Sequence, residues 1–388
     1  MAFLANKTVN RLNLHYGVAA LASGGGGVFF GVFLLNAGLA LPVVLCAYAL
    51  ISAGRLCIRP FVLVAAKRTG LRPMVIFGTA ALGLQYPLLA QVHGLEPTLV
   101  ALCVVAAIGE ASYSTAFHAY FAQLGDAEHR GHQTGAREAL VALAGVVAPL
   151  ASGWALTTLG PKVAFGATAG VQLLALVPLL GAPDVPVAPE ARGLFTGARQ
   201  GFLLFLADGW IKAGVTVVWQ VALFVLLRES FEAFGGAMAL AALAAAVAGL
   251  ALGRHIDAGR GVGAVWLGFV VLAVCILMRF AATTPATAVA ANALGALVGC
   301  TYFPTLMTGF YNLAERSPCP LRFQVVAESG WDLGRAVGCL IAAGLVALGA
   351  PLQAAILPSL GGAVAALILL RRYYATVGGA AAIAGAAP

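Results

Sequence analysis

Long apolar runs, each near the length of about 20 residues that a helix needs to cross a bilayer, alternate with short polar breaks along the whole chain. Cutting at charges, prolines and glycines predicts membrane helices over 14–35, 39–66, 73–91, 97–122, 133–157, 162–181, 201–227, 232–253, 262–281, 285–312, 322–348 and 351–370. The runs are continuous rather than alternating, which excludes the strands of a membrane β-barrel. The longest polar break, "APDVPVAPEARGLFTGARQ" over 182–200, falls near the middle. The expected fold is therefore an all-α polytopic membrane protein, twelve helices in two pseudo-symmetric six-helix bundles. Residues 1–182 form the first bundle, 183–200 a cytoplasmic linker, 201–374 the second bundle and 375–388 a loose tail.

Charge sharpens this picture. With the N-terminus inside, the cytoplasmic loops and termini hold Lys7, Arg11, Lys67, Arg68, Arg72, Arg130, Arg192, Arg199, Arg254, Arg260, Arg316, Arg322, Arg371 and Arg372. The outside loops hold only Lys162, Arg228 and Arg279. One missed helix would scramble such a bias, so it supports both the count and two cytoplasmic termini. The apolar run after "MAFLANKTVNR" is too long for a signal-peptide core and reads as a retained first span. The halves also resemble each other at an offset of 189 residues, where Tyr113 meets Tyr302, Phe121 meets Phe310 and Leu124 meets Leu313. "FAQLGD" (121–126) and "YNLAE" (311–315) close spans four and ten alike, as a duplicated unit would.

Composition closes off other classes. Hydrophobic residues make up 61% of the chain and charged ones 9%, against about a quarter charged in soluble proteins. The formal charge of +8 is dispersed one to three residues at a time, so nucleic acid is not a partner. The seven cysteines show neither CxxC nor metal-ligand spacing and read as small packing residues, with no metal and no cofactor. No G-x-S-x-G, H-E-x-x-H or nucleophile–base pair points to an enzyme. The alanine and glycine content points to a bacterial inner membrane.

Two six-helix halves with a central linker resemble the major facilitator superfamily of secondary transporters, and short motifs carry the resemblance further. After span eight, "GRHIDAGRG" (253–261) is similar to the family's G-x-x-x-D-R-x-G-R-R loop at Gly253, Asp257, Gly259 and Arg260. After span two, "LVAAKRTGLRP" (63–73) matches at Arg68, Gly70 and Arg72, with Leu63 where the glycine belongs and Lys67 where the aspartate belongs. The resemblance implies a gating role for these loop residues. In span five, "AGVVAPLASG" (144–153) is similar to the family's G-x-x-x-G-P-x-x-G-G motif, with Ala144, Ala148 and Ser152 in place of glycines.

Charges inside the spans are the candidate chemistry, because burying one at mid-membrane costs about 2.5–3.5 kcal/mol on insertion scales. Arg55 and Arg59 share one face of span two, as a cytoplasmic anchor, an anion site or a partner for a carboxylate. Glu110, Tyr113 and His118 lie on span four, one of the four cavity-lining helices in the family the chain resembles. Arg137 and Glu138 open span five and read as an interfacial gate or anchor. In span seven, Asp208 and Lys212 stand one turn apart, either a self-neutralising pair or part of the mechanism, and Trp210, Trp219 and Gln220 offer an aromatic and hydrogen-bonding wall. In span eleven, Glu328, Asp332 and Arg335 line one stripe, either as a salt-bridge gate or as a proton site. Arg335 can neutralise one carboxylate by pairing with Asp332 or by reaching to Glu110 or Glu138, which leaves the other able to take up a proton. The "SGGGG" of 23–27 is no phosphate loop and reads as close helix packing or a bend. His15 and Tyr16 precede it, Tyr16 matching Asp208 roughly in register, and Tyr302 and Tyr311 of span ten add aromatic surface.

The function expected is alternating-access transport of a small organic solute, anionic or amphiphilic, coupled to protons by these carboxylates. The carrier is expected to be a monomer with membrane lipids around it, its charges bordering a shared watery chamber. An uncoupled facilitator, a lipid flippase or scramblase on the same fold, and a sensor that has lost transport are the competing readings.

Overall fold

The computed structural model describes residues 6–124, 130–187, 198–256, 262–315, 317 and 320–385. Its helices are α1 (Lys7–Asn36), α2 (Leu41–Thr69), α3 (Leu71–Leu89), α4 (Pro97–Leu124), α5 (Arg130–Thr158), α6 (Pro161–Leu180), α7 (Ala198–Leu226), α8 (Phe231–Ile256), α9 (Val262–Ala281), α10 (Pro285–Glu315), α11 (Pro320–Ala347) and α12 (Ser359–Gly385). Among the described residues, 11 helical segments are long and apolar enough to cross a membrane. The helix outside that set is α3, which carries Arg72, Gln85, Tyr86 and two prolines. All-helical spanning is what a bilayer demands, since every backbone N–H and C=O must be satisfied without water. Buried hydroxyls follow the same rule by bonding back one turn: Ser52 to Tyr48 O, Thr79 to Val75 O and Thr168 to Ala164 O, at 2.9, 2.7 and 3.0 Å.

The helices gather into two compact units, one of Met1–Glu190 with Leu227–Leu243, the other of Ala191–Leu226 with Ala244–Pro388. In the first, α1 lies on α5 through small residues. A Cβ on Gly24 would stand 3.2 Å from Ala148 Cβ and 3.5 Å from Ala144 O, and one on Gly25 would stand 2.7 Å from Ser152 Oγ. The three α5 residues that take the place of motif glycines thus face glycines supplied by α1. The other face of α5 meets the start of α8, with Pro149 O against Gly235 and Gly153 against Phe231 O.

In the second unit α7 and α11 approach backbone to backbone. Gly330, Gly334 and Gly338 recur every four residues along one face of α11 and meet the carbonyls of Phe202 and Leu206 and the side chain of Ala213. Gly209 of α7 reciprocates against Trp331 O. This is small-residue packing of the kind that replaces the hydrophobic effect between helices in lipid.

Two helices contain a π-helical turn. In α1 it spans Ser23–Gly27 and in α7 Ala213–Val218, nearly the duplication offset apart. The "SGGGG" run is therefore a local widening of the helix as well as a packing surface. Arg279 requires a correction: the sequence reading counted it among the outside loop charges, yet it belongs to α9 and is only 6% exposed.

Candidate functional site

Asp208 is a buried acid of the second unit, 4% exposed near the middle of α7. Its two oxygens accept one bond each: Tyr302 Oη of α10 donates to Oδ1 at 3.1 Å, and Trp331 Nε1 of α11 donates to Oδ2 at 3.0 Å. Both donors are neutral. Lys212, one turn along α7, instead lies over the Phe303 ring, Nζ 6.0 Å from its centroid. The guanidinium of Arg335 lies over Trp331 at 5.2 Å, so a cation rests on the indole that holds Asp208. Asp332, next to that indole in the chain, is fully buried, and Glu328 accepts from Gln324 Nε2 at 3.3 Å. The close α7–α11 approach makes this cluster possible, because Gly209 and Gly334 bring Trp331 within reach of Asp208.

The first unit places other chemistry at the matching tyrosine. His15 Nδ1 donates to Ala175 O at 2.7 Å, since a carbonyl can only accept, and the neutral ring then accepts from Tyr113 Oη at Nε2, 3.1 Å away. Tyr16 and Tyr113 both stack on Phe117, centroids 5.0 and 5.3 Å apart. Arg137 of α5 lies over Tyr16 at 4.9 Å and over Phe121 at 5.1 Å, and its Nη2 pairs with Glu138 at 2.8 Å. Nearby in the chain, Arg55 forms an ion pair with Glu110, and the fully buried Arg59 donates to Thr115 Oγ1 at 3.0 Å.

The residues singled out by sequence thus fall into several places. Asp208 and Tyr302 meet directly, as do Arg55 and Glu110, while Tyr16, Tyr113 and Arg137 share one aromatic cluster. His118 is exposed, with its ring edge-on to Phe117. Trp210 packs on α11 beside Gly334 and Gly338. Trp219 is buried, its Nε1 donating to Asn292 Oδ1 at 2.9 Å, and Gln220 beside it is half-buried.

Of the loop residues, Arg68 is exposed, whereas Gly70 and Arg72 are built into a strap. Gly70 has φ +90° and leaves room for the Asp184 carboxylate, which accepts from Arg72 N at 3.0 Å and Val185 N at 2.8 Å. Arg72 Nη1 also donates to Ala182 O at 2.7 Å. An acid from the linker thus caps α3 where the loop itself carries Lys67. Gly253 lies at the end of α8, and Asp257, Gly259 and Arg260 lie outside the described residues.

Sequence reasoning passed over Trp331 and Phe117 and placed Arg279 in a loop. Trp331 stood in plain view between Gly330 and Asp332. The glycine spacing 330, 334, 338 marks the face of α11 that meets a neighbour, and Trp331 beside it would have followed.

Long apolar helices in two units, with polar and charged side chains kept in their interiors, define a polytopic membrane protein of the secondary-transporter kind. The chain belongs to the Major Facilitator Superfamily, whose family model matches residues 13–338. It moves a small organic solute across the membrane in which it is embedded. Among solved structures it is similar to the human organic anion transporter MFSD10 (TETRAN), with a TM-score of 0.68 at 16% identity, covering 94% of this chain and 99% of that one. This likeness is one of fold. No curated protein shows a significant match to the sequence.

Proposed function

We propose that the chain is a proton-coupled carrier of small organic anions that works by alternating access. One observation carries the reading: Asp208 is a buried carboxylate held by the neutral donors Tyr302 and Trp331 from two other helices. A charged carboxylate away from water is costly, and protonation removes that cost. Any step that changes the access of water to Asp208 is therefore linked to uptake or release of a proton. Its donors sit on α10 and α11, so relative movement of these helices and α7 alters the same bonds.

The preference for anions rests on Arg55, Arg59 and Arg137, three cations in the first unit, the last lying over aromatic rings. A guanidinium beside a stacked ring offers a carboxylate and an apolar body their complementary partners at once. The human protein of the same fold is an organic anion transporter, in keeping with this choice. The carrier acts as a monomer in an inner membrane with both termini in the cytoplasm.

The test is uptake of fluorescein, an aromatic organic anion, into liposomes holding the purified protein, with and without an imposed pH gradient. The reading expects accumulation that the gradient drives and that Asp208→Asn removes while the variant remains folded. Equal uptake with and without the gradient makes the protein an uncoupled facilitator. Movement of fluorescent phospholipid with no movement of fluorescein makes it a flippase.

A further inference from the structure

The π turn of α7 releases a backbone carbonyl, and a buried arginine takes it. In an α-helix Trp219 N would bond to Val215 O. Here Trp219 N reaches Gly214 O and Thr216 O instead. Val215 O then accepts from Arg279 Nη1 at 2.6 Å. The same guanidinium covers the Trp219 indole at 5.0 Å, and that indole is fixed on its edge by Asn292. Its other arm presses on Gly295, where α10 is interrupted between Pro285–Leu294 and Ala296–Glu315. A Cβ at Gly295 would overlap Arg279 Nη2.

One side chain of α9 therefore holds the irregular points of two other helices. Those two helices supply Asp208, Lys212 and Tyr302, and Lys212 immediately precedes the π turn. The first unit has only a partial counterpart: Tyr86 of α3 donates to Ala22 O just before the α1 turn, at 3.1 Å, and carries no charge.

We propose that Arg279 is a positioning residue that keeps α7 in its π-turned register and sets where Asp208 and Lys212 stand during turnover. It acts through Val215, Trp219 and Gly295 and touches no solute. The part of the proposal that concerns turnover rests on the transport reading, whereas the part that concerns the turn does not.

The experiment uses the full-length protein in nanodiscs and liposomes, with Arg279→Met, Arg279→Lys and Gly295→Ala. Hydrogen–deuterium exchange reads the turn. Arg279→Met is expected to speed exchange at least tenfold over residues 214–221, with α1 and α5 unchanged. Gly295→Ala, which keeps every charge and displaces the guanidinium, is expected to do the same if the methionine variant does not fold. Arg279→Lys, still able to donate to Val215 O, is expected to recover most of the protection.

Fluorescein uptake reads turnover. Arg279→Met is expected to lower the maximal rate at least fivefold with KM within twofold, because the residue does not contact the solute. Unchanged exchange over 214–221 in both Arg279→Met and Gly295→Ala overturns the proposal, as does a change spread evenly over the second unit. If wild type carries no fluorescein yet the local exchange effect is present, the transport reading fails and the account of the turn stands.

Discussion

α4 and α10 carry a tyrosine at equivalent places, and each gives its hydroxyl to the first helix of its own unit. Tyr113 gives it to His15, Tyr302 to Asp208. The frame is the same and the chemistry is not. In the first unit the acceptor is a neutral ring whose other nitrogen is tied to a carbonyl, and the nearby acid Glu110 already has Arg55. In the second unit the acceptor is itself an acid, held by two neutral donors. The two units place a tyrosine alike, and the exchange of its partner sets an imidazole in one and a buried carboxylate in the other. The π turns repeat the contrast, an uncharged tyrosine braced against one and a buried arginine against the other.

Variants can break that comparison, beginning with the packing beneath it. Gly334→Ala places a Cβ against Leu206 O and Trp210 N, backbone atoms that cannot yield. An overpacking cost near the top of the usual range, about 3 kcal/mol, is expected, seen as a tenfold loss of monodisperse protein on fluorescence-detected size exclusion. Gly24→Ala, at the corresponding α1–α5 contact, meets a methyl group at 3.2 Å and a carbonyl oxygen at an ordinary 3.5 Å and is expected to cost about 1 kcal/mol or less.

Next comes the chemistry. Asp208→Asn is expected to lower gradient-driven uptake at least tenfold, and His15→Gln less than threefold with the gradient dependence retained. Glu110→Gln leaves Arg55 buried without its carboxylate and is expected to cost about 2 kcal/mol, a fall of about 4–8 °C in melting temperature. The double variant Arg55→Met, Glu110→Leu is expected to regain most of that stability, because apolar replacement of a whole pair is often neutral. The smallest effect is expected at the strap, where Asp184→Ala removes a cap on α3 worth about 1 kcal/mol.

Much of this molecule could be read in its sequence. The apolar runs located the spans because a bilayer fixes helix length. The cost of charge in lipid singled out Arg55, Glu110 and Asp208, but Glu110 was offered to Arg335, whereas it pairs with Arg55 and Arg335 lies over Trp331. What was not legible depended on contacts between helices far apart in the chain. Nothing near residue 208 announces Tyr302 or Trp331, 94 and 123 residues away. Arg279 sat close enough to the end of an apolar run to pass for a loop anchor, and only the π turn of α7 explains its burial. The four glycines of 23–27 signalled a weak helix, but "AGVTVV", which makes the same turn in α7, carries one glycine and no such signal.

The central claim is that proton exchange belongs to the second unit, at Asp208. Proton movement measured with an internal pH dye during fluorescein uptake tests it most directly, comparing wild type, Asp208→Asn and Glu110→Gln in the same liposomes. The account predicts a proton signal in wild type and Glu110→Gln and none in Asp208→Asn. A proton signal that survives Asp208→Asn and disappears in Glu110→Gln would contradict it.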